Sequence, residues 1–94
     1  GPEGMTAALD AFYAGFPDLQ ITLDAVLAEP DKGVTRGTAT GTHQGSFMNV
    51  PGTGKTVRIP YIDMWVAYDG RFIENWVFMD MVGLLVQIGA MPAP

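Results

Sequence analysis

The strongest constraint on the fold is a pair of strand-like segments joined by an Asp-Gly turn. Residues 56–68 are rich in Val, Ile, Tyr and Trp, and residues 71–79 form a second run of the same kind. Asp69-Gly70 between them is typical of a two-residue hairpin turn, in which both central residues take a positive φ. Pro60 cannot donate to a strand ladder, so we expect a sheet edge or a bulge near it. These residues predict an antiparallel hairpin.

A second hairpin is predicted upstream of the first. Apolar and polar residues alternate over residues 19–28, which indicates a strand with one buried face. Pro30 and Gly33 favour a turn, because proline presets φ and glycine accepts a positive φ. Residues 34–43 return as the partner strand, and residues 44–54 are predicted to be a loop because glycine and proline interrupt them.

Two helices are predicted at the ends of this strand region. Residues 5–16 carry apolar side chains at helical spacing, with Thr6 as the expected N-cap and Pro17 as the stop. Asp80 is expected to cap a short helix that runs to Gln87. The order predicts an α+β fold, a curved four-stranded antiparallel meander with an N-terminal helix and a short C-terminal helix against one face.

Composition limits the size and the class of the protein. The chain has 94 residues, 48% of them hydrophobic, no cysteine and a formal net charge of -5. Residues 1–4 precede the first methionine and are expected to be a cloning remnant, which leaves residues 5–94 as one domain. The five Lys and Arg residues are scattered, so we expect no nucleic-acid binding. No apolar run reaches the length of a membrane span and no leader is evident, so a cytoplasmic location without membrane contact is the expectation.

Two stretches of the sequence resemble a known family. Residues 38–43 read Thr-Ala-Thr-Gly-Thr-His, and residues 47–55 follow the pattern Phe-x-x-x-Pro-x-Thr-Gly-Lys. Later, residues 74–76 read Glu-Asn-Trp, and residues 80–90 carry an Asp followed by Gly-Leu-Leu-x-Gln. In this order and spacing the chain resembles the SnoaL-like polyketide cyclases, also called ester cyclases.

The resemblance implies a cone-shaped α+β fold shared with ketosteroid isomerases, a pocket for a small apolar ligand, and no cofactor. Family members typically begin with two further helices and an extra strand, for which this chain has no equivalent. We therefore expect an open-sided cone, a truncated barrel that is completed by a second copy in a homodimer or higher homo-oligomer.

Three residues are candidates for catalysis. Asp80 is the first choice for a general acid/base, because the resemblance places it where the family's acid/base Asp stands; its alternative role is that of helix cap. His43, the only histidine, is expected either to orient a substrate carbonyl or to make a structural hydrogen bond. Asn75 is expected to hydrogen-bond an enolate oxygen or a neighbouring strand. A single histidine without cysteine does not form a zinc ligand set, so no metal site is expected.

Other residues are candidates for substrate binding. Asp63 is expected to be either a second pocket acid or an outer-face partner of Arg58 or Arg36. Gly37 stands where family members commonly carry tryptophan, and this departure is expected to widen the pocket or to leave room for a neighbouring chain. Six apolar side chains are candidates for the wall of a pocket for a flat ligand, or for ordinary core and interface packing: Phe47, Met48, Trp65, Trp76, Phe78 and Met79.

Two hypotheses for function follow from these residues and from the resemblance. The first is a cofactor-free acid/base enzyme that cyclises an apolar ketone or ester by intramolecular aldol addition, or catalyses a related isomerisation. The second is a shortened, non-catalytic member that binds a small ligand or associates with itself. The position of Asp80 distinguishes them, since an enclosed carboxylate favours the enzyme and an exposed helix cap favours the binding protein.

Overall fold

The protein is a four-stranded antiparallel sheet with two helices. A computed structural model describes residues 2–93, with side chains described from residue 7 onwards. The strands lie in the order β1-β2-β3-β4, so each strand pairs with its neighbour in sequence. This α+β arrangement confirms the predicted meander. The elements are α1 (Pro2–Gly15), β1 (Gln20–Glu29), β2 (Lys32–Thr42), β3 (Thr56–Tyr68), β4 (Arg71–Met79) and α2 (Met81–Gln87).

Helix α1 starts earlier than its sequence pattern indicates. It begins at Pro2 rather than after Thr6, so the predicted N-cap at Thr6 is wrong. Proline is well suited to the first helical turn, because its missing N–H would have had no partner there. The helix ends where predicted, since the Phe16 amide still donates to the Phe12 carbonyl (2.7 Å) and Pro17 follows.

Both predicted hairpins are present. In the first, Glu29 pairs with Lys32 across a two-residue turn. In the second, Tyr68 pairs with Arg71 around Asp69-Gly70. Both Asp69 and Gly70 have positive φ values, 52° and 77°, as a type I′ turn requires. The second turn forms as the sequence predicts. In the first, the expected turn role of Gly33 is wrong, because the turn consists of Pro30 and Asp31 alone and Gly33 lies in β2, paired with Ala28.

One edge of β3 lacks a neighbouring strand near Pro60, and the side chain of Gln87 binds the backbone there. Strand β4 pairs with β3 only as far as Tyr61, so Pro60 lies on a locally free edge, as one of the two expectations proposed. On that edge, the Gln87 side chain replaces the missing strand: its oxygen accepts from the Arg58 amide (2.7 Å) and its nitrogen donates to the Arg58 carbonyl (3.1 Å). One glutamine thus satisfies the backbone and fixes α2 against β3.

The segment between β2 and β3 contains a small hairpin of its own. Phe47 and Val50 exchange both backbone hydrogen bonds (3.0 and 2.9 Å). Met48 and Asn49 between them have positive φ values of 49° and 64°. Sequence reasoning predicted only a loop here, because Met-Asn is not a recognisable turn pair. The turn pushes Phe47 into the core and leaves Met48 exposed.

The hydrophobic core lies at one end of the sheet, on the face that carries the helices. We call this face the inner face and the opposite face the outer face. At the core end, α2 and the segment between β2 and β3 close over the sheet, and the buried side chains exclude solvent. Strand β1, by contrast, is exposed along its whole length. The buried core consists of Phe16, Phe47, Val57, Ile59, Leu84 and Ile88.

Candidate functional site

A cavity of about 580 Å³ lies beside the core, between α1 and the inner face of the sheet. Its size fits a small organic ligand. The walls come from both helices and all four strands, because the curved sheet and α1 diverge away from the core. Most of the lining is apolar. The lining residues are Ala8, Leu9, Phe12, Leu19, Ile21, Ala39, Tyr61, Asp63, Asn75, Val77, Met79 and Met81.

Asp63 supplies the carboxylate of this cavity. It lies in the middle of β3, opposite Thr35 on one side and Val77 on the other. Its Oδ1 atom is buried, and no donor among the described residues reaches it. The structure therefore places Asp63 on the inner face and not beside Arg58 or Arg36. A buried carboxylate oxygen without a donor is costly, so such a group is retained where a ligand or a proton supplies the missing contact.

Tyr61 lies two residues before Asp63 on β3 and therefore faces the same cavity, about 7 Å along the strand. Burial raises the pKa of the Tyr61 phenol above its usual 10.0, and the charges of Asp63 and Asp24 add to the rise. The phenol consequently keeps its proton at neutral pH and remains a hydrogen-bond donor. This combination of a donor and an unpaired carboxylate on one strand is the main chemical feature of the cavity.

Gly37 makes room for Tyr61. A Cβ atom at this position would overlap the Tyr61 hydroxyl and the Thr22 carbonyl oxygen. Gly37 lies directly opposite Tyr61 in the sheet, so the ring packs across the glycine. The expectation that Gly37 widens the pocket or admits a neighbouring chain is wrong, because Tyr61 already fills the space. The glycine instead determines how Tyr61 lies in the wall of the cavity.

Asn75 is the third polar residue of the cavity. It pairs with Trp65 in the register of β3 and β4, which places it diagonally across from Asp63 on the same face. Asn75 therefore lines the cavity, and its hydrogen bond to an enolate oxygen stays a prediction. Asn75, Asp63 and Tyr61 therefore form one polar group in an otherwise apolar wall.

Asp80 occupies the N-cap of α2. Its Oδ1 accepts from the Gly83 amide (2.8 Å), and the residue is exposed. Its chain neighbours Met79 and Met81 both line the cavity, but Asp80 does not. The structure thus gives Asp80 the capping role that the sequence predicts, at the margin of the cavity rather than inside it.

His43 lies in the core and not in the cavity. Its side chain is fully buried and packs on the Phe16 ring, with 5.3 Å between ring centroids. The Thr53 amide donates to His43 Nδ1 (3.3 Å), and the Thr53 hydroxyl is 3.0 Å from the same atom. Because Nδ1 accepts from the amide, the proton of a neutral ring lies on Nε2, which is buried without a partner among the described residues. His43 therefore holds residue 53 against the core, and its predicted contact with substrate has no counterpart in the cavity.

Of the two alternatives for the six apolar side chains, the pocket wall holds for Met79 alone, and ordinary core packing holds for Phe47. The strand register separates the six side chains: Met79 lines the cavity, while Trp65 packs on the inner face over Gly33 and against Phe72. Sequence proximity misled the prediction, because neighbouring residues of a strand point to opposite faces. Phe47 belongs to the core, Met48 is exposed on a turn, and Trp76 and Phe78 lie on the outer face.

Sequence reasoning missed Tyr61 and the contribution of α1. Tyr61 has the same parity as Asp63, so the strand period could have found it once Asp63 was placed on the inner face. Leu9 and Phe12 of α1 were recognised only as an apolar helix stripe, because no local signal says that a helix and a sheet diverge. Among the side chains that the structure describes, those of residues 7–93, no three His, Asp or Glu are grouped closely enough to hold a metal ion. No helix within residues 2–93 is long and apolar enough to span a bilayer.

The fold, an antiparallel sheet with a cavity beneath its helices, defines a class of small α+β domains. The model of the family described as SnoaL-like polyketide cyclase matches residues 1–88. The chain therefore belongs to the SnoaL-like polyketide cyclase family. Among curated proteins, none is similar enough to count as a relative.

Solved structures of similar sequence share the fold. TsrD from Streptomyces laurentii is 37% identical with a TM-score of 0.87, over 97% of this chain and 68% of that one. AclR from Streptomyces galilaeus, a proposed hydroxylase, is 34% identical with a TM-score of 0.88, and the match covers 100% of this chain and 60% of AclR. A proposed SnoaL-like polyketide cyclase from Jannaschia sp. CCS1 is 32% identical with a TM-score of 0.86, over 98% and 64%. The chain thus spans about two thirds of the length of these proteins.

Proposed function

We propose that the cavity binds a small apolar ketone or ester and that Asp63 acts on it as a general acid/base. The observation that carries the proposal is the Asp63 Oδ1 atom, buried in an apolar cavity without a donor among the described residues. Membership of the SnoaL-like family and the cyclase names of similar structures support this class of chemistry.

The reaction needs one base and one or two hydrogen-bond donors. The Asp63 carboxylate removes a proton from the carbon next to the substrate carbonyl, and the electron pair moves to the carbonyl oxygen to form an enolate. The Tyr61 hydroxyl and the Asn75 amide donate hydrogen bonds to that oxygen. The enolate carbon then attacks a second carbonyl of the same molecule, and the new alkoxide takes the proton back from Asp63. Substrate and product are isomers, so the scheme is balanced without a further reactant.

Asp80 remains the alternative base, because its carboxylate lies between two residues that line the cavity. The exposure of Asp80 and its helix-cap contact with the Gly83 amide support the second hypothesis, a protein that binds a ligand without reacting with it. One experiment distinguishes Asp63 from Asp80 as the base, and the enzyme from the non-catalytic binding protein.

The experiment measures proton abstraction directly, with 2-tetralone as the probe. This apolar bicyclic ketone has acidic protons next to its carbonyl, and their exchange for deuterium in D₂O is followed by NMR. We expect the protein to accelerate exchange over buffer. We expect Asp63→Asn to reduce that acceleration by about 100-fold or more, the usual contribution of a general base. Asp80→Asn is the matched control, since asparagine also caps helices and the fold is retained.

The outcomes assign the roles separately. Loss of exchange in Asp80→Asn with normal exchange in Asp63→Asn would make Asp80 the base and contradict our assignment. Binding of 2-tetralone, seen by ligand-detected NMR, without accelerated exchange would favour the non-catalytic binding protein. Tyr61→Phe is expected to slow exchange less than Asp63→Asn, because it removes a donor to the enolate and leaves the base in place.

A further inference from the structure

The cavity between α1 and the sheet contains a carboxylate but no positive group to balance it. Asp63 lines the cavity, and its buried Oδ1 atom receives no hydrogen bond from the described residues. None of the five Lys and Arg residues lines the cavity, and the one ion pair among the described residues joins Lys32 to Glu29, outside it. A carboxylate in apolar surroundings without a cation is costly, because little solvent remains to stabilise its charge.

A second acid adds to the negative potential of the same wall. Asp24 lies at the bulge of β1, and its charge contributes, with that of Asp63, to the raised pKa of the Tyr61 phenol. Both carboxylates therefore act on the space beside the Tyr61 side chain, which lines the cavity. The net charge of the whole chain, -5, has the same sign. A cleft with apolar walls and charges of one sign concentrates ligands of the opposite sign.

We propose that the cavity binds a small apolar amine in its protonated form, with the ammonium group donating to Asp63 and the hydrocarbon body lying against the apolar wall. The lining supplies both parts of this contact, since Leu9 and Phe12 are apolar and Asp63 is the acid. A hydrogen bond between an ionised donor and a carboxylate is roughly twice as strong as one between neutral groups. Such binding needs no proton abstraction, so it goes beyond the acid/base chemistry proposed above.

The surroundings of Asp63 favour an organic ammonium ion over a metal ion. Tyr61 and Trp65 occupy the neighbouring inner-face positions of β3, one before and one after Asp63. An ammonium group is attracted to the face of an aromatic ring within about 6 Å. Ions such as Mg²⁺ and Ca²⁺ instead require several oxygen ligands, and the described side chains contain no group of three acids or histidines that could hold a metal.

The first test compares three ligands with the same bicyclic body, by isothermal titration calorimetry of the unaltered chain at neutral pH. 2-Aminotetralin carries an ammonium group, 2-acetamidotetralin is its neutral analogue, and tetralin-2-carboxylate is an anion. We expect 2-aminotetralin to bind at least about 10-fold more tightly than the acetamide, because only the amine forms a charge-assisted bond. The carboxylate is expected to bind most weakly. Equal affinities for the amine and its acetamide would overturn the proposal.

The second test identifies the group that binds the amine. Asp63→Asn is expected to weaken the binding of 2-aminotetralin by at least about 10-fold. Asp10→Asn is the matched control, because it removes the same charge from an exposed position of α1 outside the lining and should leave the affinity unchanged. An affinity that persists in Asp63→Asn would also overturn the proposal.

A third measurement needs no substitution and remains informative if Asp63→Asn does not fold. Bound 2-aminotetralin should shift the NMR signal of the Val77 amide, in the cavity wall, and not that of Val34, on the outer face. Shifts confined to residues outside the cavity would place the amine elsewhere and contradict the proposal.

The two proposals for Asp63 can fail separately. Accelerated deuterium exchange of 2-tetralone without selective binding of 2-aminotetralin would retain the acid/base function and overturn the amine site. Selective binding of the amine without accelerated exchange would support the amine site and favour the non-catalytic binding protein. Where both hold, 2-aminotetralin should inhibit the exchange of 2-tetralone, because both ligands need the same carboxylate.

Discussion

The two ends of the inner face have opposite properties, although the same strands run through both. At the core end, Phe16, Leu84 and Ile88 are completely buried, and α2 covers the sheet. At the cavity end, Leu9 and Val77 line open space and are 36% and 47% exposed. The difference arises because α2 and the segment between β2 and β3 cover the sheet at the core end, whereas the apolar side chains at the cavity end border open space. The core and the cavity therefore lie at different positions along one sheet.

Buried polar atoms without a partner occur at both ends. At the core end, Gln87 completes the backbone of β3 and His43 Nδ1 is bonded to Thr53, but the buried Nε2 atom of His43 has no partner among the described residues. At the cavity end, the Asp63 Oδ1 atom is likewise buried with no donor among the described residues. The two atoms differ in their surroundings, because His43 lies in the core whereas Asp63 lines open space in which a ligand can complete the contacts.

The largest expected effect tests this separation with two identical substitutions. Leu84→Ala, in the core, is expected to lower the free energy of unfolding by about 3 kcal/mol, because it leaves a cavity in close-packed surroundings. Leu9→Ala, at the cavity, is expected to cost less than about 1 kcal/mol, since the side chain is already partly exposed. Urea denaturation followed by circular dichroism measures both. Equal losses would show that α1 is packed as tightly as the core and would contradict the comparison.

His43→Ala is expected to lower the free energy of unfolding by about 2 kcal/mol, because it removes a buried ring and leaves the Thr53 amide without its acceptor. Hydrogen exchange at the amides of Thr53 and Gly54 should also accelerate, because the segment between β2 and β3 loses its contact with the His43 side chain. Gln44→Ala, at the exposed neighbouring position, is the control and should leave exchange unchanged. Normal protection in His43→Ala would mean that Phe47 and Val50 hold this segment without the histidine.

Substitutions of the two candidate acids, Asp80 and Asp63, are expected to change the free energy of unfolding in opposite directions. Asp80→Ala should lower the free energy of unfolding by about 1 kcal/mol, because the Gly83 amide loses its cap. Asp63→Asn should leave stability unchanged or raise it slightly, since a neutral amide is less costly to bury than an unpaired carboxylate. Thermal denaturation of the two variants checks this pair. A large loss in Asp63→Asn would indicate that the carboxylate has a structural partner and would weaken its assignment as a free base.

The smallest effect concerns pH. The amide and hydroxyl of Thr42 donate to the two oxygens of Asp18 (2.7 and 2.8 Å), and these bonds lower the pKa of the Asp18 carboxyl below its usual 3.8. Because the folded protein holds the ionised form, this contribution to stability is present above pH 3.8 and is lost as pH falls through the lower folded value. Asp18→Asn should remove that part of the acid dependence, measured as the urea midpoint over decreasing pH. An unchanged acid profile would show that solvent competes fully for the Thr42 donors.

Local patterns in the sequence were sufficient for the elements and for their order. Asp69-Gly70 determines a tight turn because both residues tolerate positive φ. The alternation over residues 19–28 predicts the strand β1, but its expected buried face is wrong, because every residue of β1 is exposed. The resemblance of residues 38–55 and 74–90 to SnoaL-like cyclases was likewise visible in the sequence, and the family match over residues 1–88 confirms it. Asp80 could be recognised as a helix cap because capping depends only on residues within one turn.

The site was decided by the tertiary structure. The register of β3 against its neighbours sends Asp63, Tyr61 and Asn75 into one cavity, and it sends Trp76 and Phe78 to the outer face. The fit of Tyr61 over Gly37 likewise depends on which residues stand opposite each other across two strands. The sequence by itself determined which segments become strands, helices and turns, because those choices depend on neighbours within a few residues. Only the tertiary structure decided which carboxylate has a buried oxygen, because burial depends on residues that are far apart in the chain.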